Sequence, residues 1–200
     1  MGPVIFKRRL RWGNVTTVYK ATFPCLIYEG GAFDLSGNDD ITNEEFEAFR
    51  RFLALLPHGK DQLLVILKGH LLIEELLRRI VDERMKKPQA LCSVRFECSH
   101  IVAIAEAMCA AETEDWIWGA LRNLNKLRND IAHELEPRGL KDRMDHVISL
   151  VHENSVFADH GFGTDDCLVQ FEYSLWVLFA KPIALLKKPS AQVLSMVPKK

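Results

Sequence analysis

From Ile41 onward, apolar residues recur at alternating spacings of three and four, the period of helices that each bury one face. A first helix opens at Ile41-Thr42-Asn43-Glu44-Glu45-Phe46, where Thr42 or Asn43 serves as the cap and acids fill the first turn; it runs to Leu56 before Pro57-His58-Gly59 breaks it. A second, long helix spans Lys60 to Lys86, with Leu63, Ile66, Ile73, Leu77 and Ile80 along its seam and Lys87-Pro88 ending it. Ser93 to Ala111, rich in alanine and β-branched residues, reads as a third, buried helix. The fourth runs from a Thr113 cap to Glu136, with Ile117, Leu121, Leu124, Ile131 and Leu135 toward the core. After Pro137-Arg138-Gly139 a fifth helix covers Leu140 to Glu153 on Met144, Val147, Ile148 and Val151. A Gly-containing loop from Asn154 to Gly163 leads to the last helix, Thr164 to Leu186, kinked or ended at Pro182.

The first forty residues lack that period. Leu10-Arg11-Trp12, Gly13-Asn14 and Val15-Thr16-Thr17-Val18-Tyr19 have the β-prone flanks and two-residue glycine turn of a hairpin. Lys7, Arg8, Arg9, Arg11, Trp12 and Tyr19 could meet nucleic acid there, but a small hairpin or tail packed on something else is the simpler expectation. The chain is therefore expected to be all-α, an up-and-down bundle of about five to six helices with a small N-terminal β-hairpin or extended segment. The expected division is an N-terminal hairpin or tail at 1–40, the bundle at 41–188 and a C-terminal tail at 189–200.

With 48% hydrophobic residues in 200, one domain can bury a substantial core. Lysines and arginines (26) nearly balance aspartates and glutamates (27), which argues against a surface coated for DNA but leaves room for a local basic cleft. No helix-turn-helix with a basic recognition helix stands out. No apolar run is expected to reach the roughly 20 residues of a membrane span, and no leader pattern opens the chain, so a cytoplasmic protein without a membrane partner is expected. In that setting the Asn14-Val15-Thr16 sequon would go unmodified. Cys25, Cys92, Cys98, Cys109 and Cys167 are odd in number and form no C-x-x-C pair, so reduced structural thiols are expected.

Arg128 departs from the helical pattern, because it sits in the apolar stripe of the fourth helix. A guanidinium cannot shed its charge, and an apolar seam is costly for it unless an anion meets it there. Asn125, Asn129 and His133 follow one another at single-turn spacing beside it, so a polar ladder accompanies the arginine. On the second helix, His70 takes a core-type position between Ile66 and Ile73, with Glu74 one turn further on. These two border the ladder, with Glu74 holding Arg128 or orienting a histidine, or they form a buried hydrogen bond that serves packing alone. For Arg128 and His133 the structural alternative is an internal salt bridge and a helix-terminal histidine favoured by the dipole. His146 and His152, with Asp142, Asp145 and Glu153, match no zinc spacing and read as a solvated face. Trp116, Trp118 and Trp176 read as core or interface anchors. Neither metal nor cofactor is expected.

Arg128, Asn129 and His133 match the R-N-x-x-x-H order that marks the HEPN superfamily of small helical bundles. The words Leu124-Asn125-Lys126-Leu127 and Glu134-Leu135 around them, and Gly69-His70-Leu71-Leu72-Ile73-Glu74-Glu75-Leu76-Leu77 on the long helix, resemble the same group. The resemblance covers roughly residues 60 to 150 and leaves the first forty aside. It implies a metal-independent endoribonuclease of the kind found in toxin-antitoxin, abortive-infection and CRISPR-linked systems, or a member that has lost activity and regulates a protein, nucleotide or RNA partner. Under the first reading Arg128 clamps phosphate, Asn129 positions it and His133 is the base or acid, with His70, Glu74, Asn125 and Asp130 as supporting residues. The 2′-hydroxyl of the RNA would be the nucleophile. Such proteins commonly dimerise so that two motifs face one cleft, which implies an RNA substrate, a homodimer and an antitoxin or effector partner. Some HEPN toxins carry a modifiable tyrosine two residues after the histidine. Leu135 stands there in this chain, so that route of neutralisation is not implied.

Overall fold

Six α-helices carry the described part of the larger unit. The computed structural model describes residues 4–5, 9–12, 15–18, 22–23, 43–91, 93–134, 137–155 and 163–186. The chain divides into two units, Met1–Asp40 and Ile41–Lys200. In the first, β1 (Val4–Ile5) pairs antiparallel with β4 (Thr22–Phe23), and β2 (Arg9–Trp12) with β3 (Val15–Val18), Trp12 opposite Val15. The Gly13-Asn14 turn, the side chains of Lys7 to Tyr19 and the tail at 189–200 lie outside the described residues.

In the second unit α1 is Asn43–Leu55, α2 Gln62–Arg84, α3 Cys98–Cys109, α4 Asp115–His133, α5 Leu140–Asn154 and α6 Cys167–Ile183. Asp61 caps α2 by accepting the Leu64 amide at 3.0 Å, and Asp166 caps α6 through the amides of Leu168 and Val169. Gly139, at φ +64°, supplies the left-handed turn from which α5 starts. Three starts differ from the sequence pattern, and the first is α6, which begins at Cys167 rather than Thr164. Ser93 precedes α3 by five residues, because a 3-10 turn at Pro88–Leu91 intervenes and the Glu97 amide donates instead to His100 Nδ1 at 3.2 Å. At α4 the cap is Glu114 rather than Thr113.

These helices form an all-α bundle in which α2 packs against α3, α4 and α6, and α6 packs against α1, α2, α4 and α5. Trp118, Phe171, Leu175 and Leu178 are fully buried at its centre, and Phe52 of α1 stacks on Phe179 of α6 with ring centroids 4.4 Å apart. Gly69 lets α2 and α6 approach closely, since a Cβ there would lie 2.5 Å from Leu175 Cδ1. Arg84 ties the end of α2 to the α3–α4 connection through Glu112 and to the last turn through the Leu185 carbonyl at 2.7 Å. Pro182 sits in the final turn of α6, which stops one residue later at Ile183 and gives way to a 3-10 turn at Ala184–Leu186. Contrary to the expectation that no run reaches membrane length, Cys167–Leu186 is long and apolar enough by length and composition, yet 56% of its window is buried in the bundle. Glu172, Ser174 and Lys181 interrupt the run, so it escapes a search for unbroken apolar sequence.

Candidate functional site

Where α2 meets α3 and α4, the structure brings together His70, Glu74 and Asn125, three of the singled-out polar residues. His70 is 3% exposed, and with Asn125 Oδ1 accepting at 3.1 Å its Nε2 carries the proton. Its Nδ1 is buried without a hydrogen-bond partner, 3.8 Å from Glu74 Oε2. That distance is too long for a hydrogen bond. The expected His70–Glu74 bond is thus replaced by a bond from His70 to Asn125 on α4. Burial lowers the His70 pKa and the nearby Arg128 charge lowers it further, while Asn125 and Glu74 pull the other way.

Glu74 also does not hold Arg128. Its Oε1 accepts from Arg78, one turn along α2, at 2.6 Å from Nη2 and 3.1 Å from Nε. Arg78 in turn donates to the Phe96 carbonyl at 2.9 Å. Cys98, in the first turn of α3, completes the group, with one ligand-type atom each from His70, Glu74 and Cys98 lying within 4.8 Å of one another. Burial, aided by the Glu74 charge, pushes the Cys98 thiol up to about 12, so it is a neutral thiol in this setting.

Arg128 is half-buried and its Nη1 donates to Asn129 Oδ1 at 3.1 Å, while its Nε is buried without a partner. Among the described residues, every other helical arginine has a carboxylate: Arg50 with Glu47, Arg51 with Glu75, Arg78 with Glu74, Arg79 with Glu83, Arg84 with Glu112, Arg122 with Glu106 and Arg143 with Asp130. The internal salt bridge that would explain Arg128 structurally is absent among the described residues. Asp130 is committed to α5 instead, 2.6 Å from Arg143 Nη1 in an ionic contact off the hydrogen-bonding direction.

His133 is the last residue of α4 and is exposed. At about 100° per residue, five positions set it roughly 140° around the helix from Arg128. Within one chain the two groups therefore leave α4 in different directions, and Asn129, half-buried, stands between them. Of two surface hollows, one of 560 Å³ lies beside His152 and Gln170 and one of 790 Å³ between α1 and α2, and neither is lined by Arg128, Asn129 or His133. Of the motif, His133 stands exposed at the helix end while Arg128 and Asn129 are half-buried. Trp118 is fully buried, and Trp116 and Trp176 are half-buried, as anchors would be.

Sequence reasoning missed Cys98 and Arg78. The one-turn spacing of His70 and Glu74 was visible, but the thiol arrives from another helix and carries no spacing signal of its own. Comparison of the chain with known protein families, with curated proteins and with solved structures finds no match.

Proposed function

We propose that this protein is a HEPN-type endoribonuclease that cleaves RNA without a metal ion, in a defence or toxin-antitoxin setting, as a homodimer. The observation that carries the reading is Arg128, the one helical arginine among the described residues with no carboxylate, half-buried and hydrogen-bonded to Asn129. An unpaired guanidinium held there is costly unless it receives an anion, and its planar fork suits a phosphate. An exposed imidazole at the end of the same helix supplies a group that can take or give a proton.

In the proposed reaction a histidine removes the proton of the 2′-hydroxyl, the resulting oxygen attacks the adjacent phosphorus, and the 5′-oxygen leaves with a proton from a second acid. Arg128 stabilises the charge that builds on the non-bridging oxygens. Purified protein incubated with RNA in EDTA is expected to leave 2′,3′-cyclic phosphate and 5′-hydroxyl ends. Arg128→Ala and His133→Ala should each lower cleavage at least about 100-fold, the scale of a lost acid-base or charge-stabilising group. Cleavage that stops on chelation, or that survives both substitutions, overturns the assignment.

A catalytically silent HEPN-like bundle is the second reading, favoured by the divergence of Arg128 and His133 around α4. In that case the protein holds RNA, a nucleotide or a protein partner through Arg128 and cuts nothing, and Arg128→Ala abolishes binding while His133→Ala does not.

A further inference from the structure

We propose that His70, Glu74 and Cys98 form a binding site for a single zinc-type divalent ion between α2 and α3. Three observations build it. First, the ligand atoms already converge: they lie within 4.8 Å of one another, and His70 Nδ1 stands 3.8 Å from Glu74 Oε2. Ligands at zinc bond lengths in a tetrahedral arrangement lie about 3.3–3.6 Å apart, so small side-chain adjustments close the set.

Second, each of the two α2 ligands is aimed by an outer hydrogen bond. Asn125 Oδ1 accepts from His70 Nε2, which leaves the lone pair on Nδ1, the atom 3.8 Å from Glu74 Oε2. Arg78 holds Glu74 Oε1, which leaves Oε2 toward the imidazole. Outer bonds of this kind fix the tautomer and orientation of metal ligands. Third, Nδ1 of the 3%-exposed His70 has no hydrogen-bond partner, an expensive state for a buried polar atom that a bound cation relieves.

The donor set selects the ion. One imidazole nitrogen, one sulfur and one carboxylate oxygen suit borderline-soft zinc, or cobalt in its place, rather than magnesium or calcium. Binding breaks the Cys98 S–H bond as the metal–sulfur bond forms, and the proton leaves to solvent. The ion's two positive charges are then balanced by one thiolate and one carboxylate, so the neighbouring Arg78 and Arg128 face a neutral cluster. Glu74 is 18% exposed, which gives the ion a route in, and three protein ligands leave a fourth position for water.

This site is independent of the proposed RNA cleavage, and its test needs no RNA. The metal-stripped full chain, titrated with Co²⁺ and then Zn²⁺, is expected to bind one equivalent with a thiolate-to-cobalt charge-transfer band, which zinc displaces. Cys98→Ser should abolish the band, whereas Cys167→Ser and a Cys25→Ser/Cys92→Ser double variant should keep it. Asn125→Ala should weaken binding about 10–100-fold, as loss of an outer-shell bond does. If His70→Ala fails to fold, Glu74→Gln keeps an acceptor for Arg78 while removing the charged ligand oxygen, and it should weaken binding at least as much as Asn125→Ala. No bound cobalt, a spectrum without a thiolate band, or unchanged affinity in Cys98→Ser would each overturn the site.

Discussion

His58 and His70 respond to acid in opposite senses. His58 Nδ1 meets Glu172 Oε2 at 3.0 Å and Nε2 meets the Leu53 carbonyl at 3.3 Å, so both ring nitrogens face acceptors. The bond to Glu172 raises its pKa above the ordinary 6.5 against the opposing effect of burial. Its contribution is therefore full below pH 6.5 and lost as pH rises through the raised folded value. His70, lowered chiefly by burial, contributes fully above 6.5 and loses its contribution as pH falls toward its depressed folded value. His58→Gln should thus cost more Tm at about pH 5.5 than at about pH 8, because only the protonated imidazole makes both bonds. An equal cost at both would show that His58 is neutral. Arginines offer a second residue-scale contrast. Arg84→Met should destabilise by about 1–3 kcal/mol through loss of charged hydrogen bonds. Arg128→Met should leave Tm unchanged or raise it, because it removes a half-buried charge with no carboxylate partner among the described residues. A comparable loss in both would mean that Arg128 has a structural partner.

Among the elements, the α2–α6 contact depends on a missing side chain. Alanine at 69 would gain up to about 1 kcal/mol of helix propensity, but its Cβ would sit 2.5 Å from a methyl of Leu175, which is fully buried and has little room to turn. Overpacking of this kind costs about 1–3 kcal/mol. Gly69→Ala should therefore lower stability in denaturant unfolding, and Leu175→Val should lower it too by opening a gap. The double variant should lose less than the two losses added, because the new methyl fills the space that valine leaves. Strict additivity would show that the two residues do not share that space. The six helices were legible because period and breaks are local properties: the seam of Ile66, Ile73, Leu77 and Ile80 and the Pro57-His58-Gly59 break announce α2 without reference to any neighbour. The stripe expected on α4 is met at Ile117, Leu121 and Leu124, but its buried face ends at Leu127, Arg128 and Ile131 are half-buried, and Leu135 lies outside the described residues. What pairs with what was not legible. Glu74 choosing Arg78 over Arg128, Asn125 taking His70, and Cys98 arriving beside them all depend on which faces of α2, α3 and α4 meet, and no single helix encodes that.

At the scale of the whole molecule, the proposed chemistry asks more of the surface than one chain offers. Strand cleavage by a 2′-hydroxyl needs one group to accept a proton and another to donate one. On α4 the chain supplies a single histidine, exposed at the helix end, and Arg128 emerges roughly 140° away around the axis. Neither of the two hollows described above takes in either residue. A second copy related by a two-fold axis near the end of α4 would answer each deficiency, since an isologous contact sets the imidazole of each chain near the motif of the other and builds a cleft from two open surfaces. Light scattering should then report about twice the 22.9 kDa chain mass. Mixing wild-type chains with an excess of His133→Ala chains should depress cleavage further than dilution does, because most wild-type chains would then be paired with a partner lacking the second imidazole. A strict monomer with full cleavage activity would falsify the two-copy site and leave one chain to supply both acid and base.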